Sequence, residues 1–106
     1  MSNNNRMSMV DEELKKALSQ IIDKELKDPN LTGLISVTKV KTTPDLSYSR
    51  VYVSMIGCKS QKENLAILKK SSGYIRSLVA KQVNLRITPE LVFEFDESIE
   101  YRSKNW

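Results

Sequence analysis

Residues 60–83 read SQKENLAILKKSSGYIRSLVAKQV, and this stretch decides the architecture. Ser60 with Glu63 three residues on forms a capping box, in which the serine oxygen accepts from a backbone N–H of the first helical turn. Leu65, Leu68, Ile75, Leu78 and Val79 then recur at helical spacing and supply an apolar face through about Val83. Uninterrupted, such a helix would exceed twenty residues. Ser71-Ser72-Gly73 sits in its middle, however, and glycine costs about 1 kcal/mol relative to alanine in a helix interior, with serine also a weak helix former. The stretch therefore predicts two helices joined by a kink at Gly73, the second starting just after it.

Working outward, Tyr48 to Ile56 alternates, with Val51, Val53 and Met55 on one face and Tyr48, Arg50, Tyr52 and Ser54 on the other. Leu34 to Thr42 is rich in Ile, Val and Thr. Thr43-Pro44-Asp45-Leu46 lies between them, where proline presets a turn dihedral and aspartate bonds nearby backbone, so the two runs read as an antiparallel hairpin. Downstream, Leu91, Phe93 and Phe95 alternate with Val92, Glu94 and Asp96 as a third strand, and Pro89 just before it removes no needed donor. Upstream, Val10, Leu14, Ala17, Leu18, Ile21 and Ile22 form a helical stripe from about Met9 to Leu26. Ser8 with Asp11 resembles a capping box, and Lys27-Asp28-Pro29 stops the helix. The order is helix, strand, strand, helix, kink, helix, strand, which predicts an α+β domain with a three-stranded sheet and its helices on one face. The last strand is expected beside the first. Residues 1–7 are expected to be a flexible end, 8–101 the folded domain and 102–106 a short tail.

With 106 residues the chain holds one domain, and 40% hydrophobic residues suffice for a compact core. There is no histidine and one cysteine, Cys58, so neither an intrachain disulfide nor a zinc cluster is available. No metal or other cofactor is expected. No apolar run approaches the roughly 18 residues that span a bilayer, and the N-terminus lacks the apolar segment of a signal peptide. A cytoplasmic protein without a membrane partner is the expectation. Three glycines leave no room for a glycine-rich phosphate loop, and so short a chain has little material for an enclosed cleft. The expectation is a protein that is not an enzyme.

Charge is unevenly spread. Residues 59–86 hold Lys59, Lys62, Lys69, Lys70, Arg76, Lys81 and Arg86 against Glu63 alone, a net +6; residues 87–106 carry −3 and residues 1–58 carry +1. The positive excess thus lies on the kinked helical pair, and Lys39, Lys41 and Arg50 on the hairpin are expected to extend it. Such a run either keeps helices soluble or neutralises phosphates. The kink favours phosphates, because the N–H groups of a newly started helix point at anions and Gly73 lets a backbone approach closely. The Ser71 and Ser72 hydroxyls are further donors. Tyr48 and Tyr52, sharing a face with Arg50, either stack on single-stranded bases or cover a neighbouring element.

Several segments together resemble the ribosome-binding factor A family. They are Leu26-Lys27-Asp28-Pro29 with Leu31, Gly33 and Val37-Thr38; Pro44-Asp45-Leu46-Ser47-Tyr48 leading into Val51-Tyr52-Val53-Ser54; Ser72-Gly73-Tyr74-Ile75-Arg76; and Leu85-Arg86-Ile87-Thr88-Pro89-Glu90-Leu91 running through Phe93 to Asp96-Glu97-Ser98-Ile99-Glu100-Tyr101. The ordered set spans about residues 9–101. The resemblance implies a single type II KH-like domain in which an interhelical kink of the form Ala-x-Gly, here Ser71-Ser72-Gly73, replaces the Gly-x-x-Gly loop of nucleic-acid-binding KH domains. It further implies a non-catalytic assembly factor that binds the free small ribosomal subunit, aids maturation of 16S rRNA and matters in cold adaptation. Arg102 stands where members often carry glycine, and the tail beyond it is short. The expected RNA-binding residues are Lys69, Lys70, Ser71, Ser72, Gly73, Arg76, Lys81 and Arg86, with Lys39, Lys41 and Arg50 in second rank. A monomer that does not bind DNA is expected. The rival readings are a module of the same fold meeting an acidic protein, and a small hydrolase in the style of acylphosphatase, which would need an Arg-bearing glycine-rich loop that the sequence lacks.

Overall fold

The computed structural model of the chain describes residues 2–26 and 28–96. Its elements are α1 (Ser2–Lys24), β1 (Leu34–Thr42), β2 (Tyr48–Ile56), α2 (Gln61–Lys70), α3 (Ser72–Gln82) and β3 (Glu90–Phe95). The class is α+β with the KH-like order, and both hairpin strands have the bounds that the alternation predicts. The α1 stripe places Leu14, Leu18 and Ile21 in the core, where they meet Val51, Val53, Leu68, Ile75, Val79 and Phe93. All of the helices cover one face of the sheet. α1 lies against β1 and α3, while α2 and α3 lie against β3.

Three expectations are corrected. First, β3 lies beside β2 and runs parallel to it, in the order β1-β2-β3, rather than beside the first strand. The α2–α3 pair is the long crossover that a parallel neighbour of β2 requires, and consecutive elements favour adjacency. Second, α1 begins at Ser2, so the Ser8–Asp11 pair lies inside the helix, not at its cap. Asp11 instead accepts a hydrogen bond from the Thr42 N–H (3.1 Å), which fastens α1 to the end of β1. Third, the helical break falls at Ser71, not Gly73. Ser71 has φ −91° and ψ 3°, and it closes α2 and precedes α3, whereas Gly73 sits in the first turn of α3. The tail at 102–106, and the part of the resemblance beyond Asp96, lie outside the described residues.

β1 and β2 pair with one irregularity. Val37 faces Val53 and Lys39 faces Tyr52, so Thr38 is an extra residue in β1. This bulge puts Val37 and Val40 on the same, buried face and turns Lys39 and Lys41 outward. The hairpin closes through the bond from the Leu46 N–H to the Thr43 carbonyl (2.9 Å), with Pro44 at the second position of the turn and Leu46 in the left-handed region at φ 62°.

The loop before β1 is held by two devices that the sequence pattern does not announce. Asn64 is fully buried on α2; its Nδ2 donates to the Thr32 carbonyl (2.7 Å) and its Oδ1 accepts from the Thr32 N–H (3.2 Å). The Thr32 hydroxyl in turn accepts from the Lys59 N–H (2.9 Å). Gly33 has φ 76°, and a Cβ there would lie 2.6 Å from both the Cys58 nitrogen and the Ile56 carbonyl oxygen. Those are backbone atoms of the chain leaving β2, and they have no side-chain freedom with which to yield.

Gly33→Ala should therefore cost more than about 2 kcal/mol, from strain at positive φ added to a backbone clash. Asn64→Ala should cost about 1–3 kcal/mol per stranded partner, because it leaves both polar groups of Thr32 unmet. Denaturant melts measure both, and a loss below about 0.5 kcal/mol in either would show that the loop is not fixed this way. In the hairpin turn, hydrogen bonds from the Ser47 side chain first, then from Thr43 and the Ser47 amide, hold the Asp45 carboxyl below its ordinary 3.8. Its contribution is present above pH 3.8 and is lost as pH falls through the lower folded value. An NMR titration should find the Asp45 carboxyl carbon moving below pH 3.8 and the Ser47 amide shifting with it.

Candidate nucleic-acid interface

The expected phosphate-binding residues do not form one patch. Lys69 and Lys70 end α2, Lys81 lies in the last turn of α3, and Arg86 lies in the segment between α3 and β3; all four are exposed. Among the described residues none of the four faces a carboxylate, since the one ion pair there joins Arg50 and Glu94 at 3.8 Å. Lys69 and Lys70 flank the break directly. Lys81 lies nine residues beyond Ser72, about 14 Å along the helix at 1.5 Å per residue.

The break itself is open. Ser71 makes no side-chain capping bond to α3, and its own N–H turns back to the Ile67 and Lys69 carbonyls. Ser71 and Ser72 are half-buried, Gly73 is exposed, and a Cβ on Gly73 would meet nothing within 4 Å. Gly73 is thus not required by any neighbour inside the fold. The next residue, Tyr74, is 52% exposed.

Arg76 has a different role from its neighbours. Its Nε and Nη2 both donate to the Thr88 carbonyl, at 3.1 and 2.7 Å. Thr88 precedes the buried Pro89, which leads into β3, so Arg76 ties α3 to the start of the third strand. It belongs with the scaffold more than with the free cations.

Lys39, Lys41 and Arg50 also leave the helical patch. They project from the sheet face that no helix covers, opposite the α2–α3 layer. Lys41 pairs with Arg50 across the hairpin, and the Lys39 Nζ lies 4.9 Å from the centre of the Tyr52 ring. The hairpin cations therefore stand on another face, with Arg50 paired to Glu94, and do not extend the helical group.

The family model described as ribosome-binding factor A matches residues 6–105. A ribosome-binding factor A of Clostridium botulinum is 47% identical over 100 residues, covering 92% of this chain and 86% of the relative. One from Acetivibrio thermocellus is 49% identical over 96 residues, covering 90% and 78%. Among solved structures, the crystal structure of ribosome-binding factor A from Thermus thermophilus superposes with a TM-score of 0.74 at 28% identity, over 83% of this chain and 93% of that one. A homology model of the Thermus thermophilus factor, fitted into the cryo-EM map of its 30S complex, superposes with a TM-score of 0.69 at 29% identity, over 82% and 91%.

Because two donors of Arg76 meet one carbonyl, Arg76→Lys keeps the charge but loses the fork. It should lower stability by about 1 kcal/mol, the usual size of such a contact. Lys81→Ala, on an exposed residue with no partner among those described, should stay within about 0.5 kcal/mol of the parent. Thermal melts of the two variants compare them directly, and equal stability would place Arg76 with the free cations.

Proposed function

The chain belongs to the ribosome-binding factor A family, and we propose that it binds the free small ribosomal subunit and promotes maturation of 16S rRNA by docking, without catalysis. The observation that carries this reading is the family match over residues 6–105, almost the whole of the chain. The 30S complex of the Thermus thermophilus factor, whose fold this chain shares, supports the same partner.

In this reading Lys69, Lys70, Lys81 and Arg86 meet rRNA phosphates, and the open space at Gly73 lets the backbone of Ser71, Ser72 and Gly73 come close to the nucleic acid. Arg76 positions α3 against the β3 entry. The factor holds one rRNA segment in place until processing is complete, works in the cytoplasm as a monomer, aids growth in the cold and needs no nucleotide or metal. No helix among the described residues is long and apolar enough to cross a membrane.

If about four phosphates are neutralised, the affinity for free small subunits should fall with salt at a log–log slope of about −3 to −4. Filter binding against salt measures it, and a flat response would remove the electrostatic mechanism. The double variant Lys69→Glu, Lys70→Glu should abolish co-sedimentation with free small subunits while leaving the melt unchanged. Retained co-sedimentation would place the contact elsewhere, and recovery that survives ribonuclease would point to an acidic protein partner instead.

A further inference from the structure

The uncovered face of the sheet is not a bland solvent surface. Outward-facing positions on three strands align across it: Lys41, Arg50 and Val92 in one row, and Lys39, Tyr52 and Glu94 in the next. Tyr48 and Val92 remain 50% and 37% exposed. The hairpin turn at Thr43–Pro44 rises beside them, and the floor is an open depression of about 640 Å³. That volume lies within the roughly 300–1,000 Å³ of small-ligand sites, so it holds one or two nucleotides but no folded domain.

We infer that this depression is a second RNA site, which takes unpaired nucleotides by stacking bases on Tyr48 and Tyr52 while Lys39, Lys41 and Arg50 meet the flanking phosphates. The inference rests on the ribosomal reading above and adds a second face to it. Three observations favour single-stranded RNA as the occupant. Tyr48 and Tyr52 lie on the same side of one strand, four residues and so about 13 Å apart at roughly 3.3 Å per residue, which lets each take a separate base of an extended strand. In the lining of the depression Lys41 and Arg50 stand against Glu94, with Lys39 two residues along β1, while Glu90 opens β3 and Asp96 follows its end. Each existing contact is also weak enough to exchange. The Arg50–Glu94 pair is exposed on both sides, and the ammonium over the Tyr52 ring is an exposed cation–π contact that a base can replace while the charge moves to a phosphate.

This face lies opposite Lys69 and Lys70. The protein then bridges two rRNA segments, one by phosphate contact on the helices and one by stacking on the sheet. Duplex RNA does not fit the second site, because its bases are already stacked on one another.

The test uses the full chain, a fluorescein-labelled eight-nucleotide unstructured RNA and, separately, free small subunits. Tyr48→Ala should weaken oligonucleotide binding at least about fivefold and by more than Lys69→Glu, Lys70→Glu does, while Tyr48→Phe should retain it. Melts confirm that each variant folds. If the oligonucleotide instead follows the lysine pair and ignores Tyr48→Ala, or if the parent does not bind it, the sheet site is overturned; so it is if Tyr48→Ala reduces only contacts that survive ribonuclease, which would make the face a protein-docking surface. Co-sedimentation of the parent chain with free small subunits reads the ribosomal reading separately, so either can fail alone.

Discussion

One extra residue in β1 sets the orientation of everything else. A strand presents alternate residues to opposite faces, so a shift of one residue exchanges its two faces. Without Thr38 as a bulge, the alternation begun by Ile35 and Val37 would aim Lys39 and Lys41 at the helices and Val40 at water. Burying two ammonium groups without partners costs far more than burying one valine returns. The bulge restores the phase: Val40 stays in the core opposite Val51, and both lysines reach the open face. Thr38 is itself anchored, because its hydroxyl lies 2.6 Å from an Asp96 carboxylate oxygen and 3.2 Å from the Tyr52 carbonyl. The irregularity thus ties β1 to β2 and to the end of β3 at one point.

The helical layer follows from the sheet phase. With Val51, Val53, Leu91 and Phe93 on one face, the helices have a single surface to cover, and β2 becomes the central strand, paired on both edges. α1 takes the β1 side and the α2–α3 crossover takes the β3 side. The break at Ser71 lets two short helices follow the sheet where a single rod would overhang it. Each then needs its own attachment. Asn64 secures α2 to the loop before β1, and Arg76 secures α3 to the entry of β3. A polar residue in each helix thus does what apolar packing does elsewhere, and both bond to backbone groups that would otherwise go unpaired.

Much of this is legible in the sequence, and the rest is hidden for identifiable reasons. Alternation and turn chemistry locate both hairpin strands, because a half-covered sheet writes its period directly into the chain. The bulge also has a trace, in the spacing Ile35, Val37, Val40, which no regular strand produces. Glycine propensity weighed alone misplaces the helical break by two residues. In the first turn of a helix Gly73 gives up little, so the interruption settles on the preceding serine. The partner of β3 escapes the reading because periodicity says which residues face inward, not which edge is vacant. Asn64 stands four residues before Leu68 on an apolar face, a polar residue at a core position, and that is its only signal. Arg76 reads as one more cation in a basic run, since its target carbonyl lies twelve residues away across a turn.

Chain order also misleads about charge. Lys39, Lys41 and Arg50 share a sign with Lys69 and Lys70, and in sequence they extend a single basic surplus. In space the sheet separates them. The molecule is 18 Å deep along its shortest axis, and the two groups of cations sit in its opposite layers. The Debye length at physiological ionic strength is about 8 Å, so in solvent the two groups of cations scarcely sense each other. Their mutual repulsion is screened, and Glu90 and Glu94 on β3 offset part of the charge on the sheet face, which together let a small chain carry cations on both faces. The same screening makes the faces independent in binding. A charge removed from one should leave the affinity of the other nearly intact, and any coupling between them must pass through the rigid sheet and its attached helices rather than through the field.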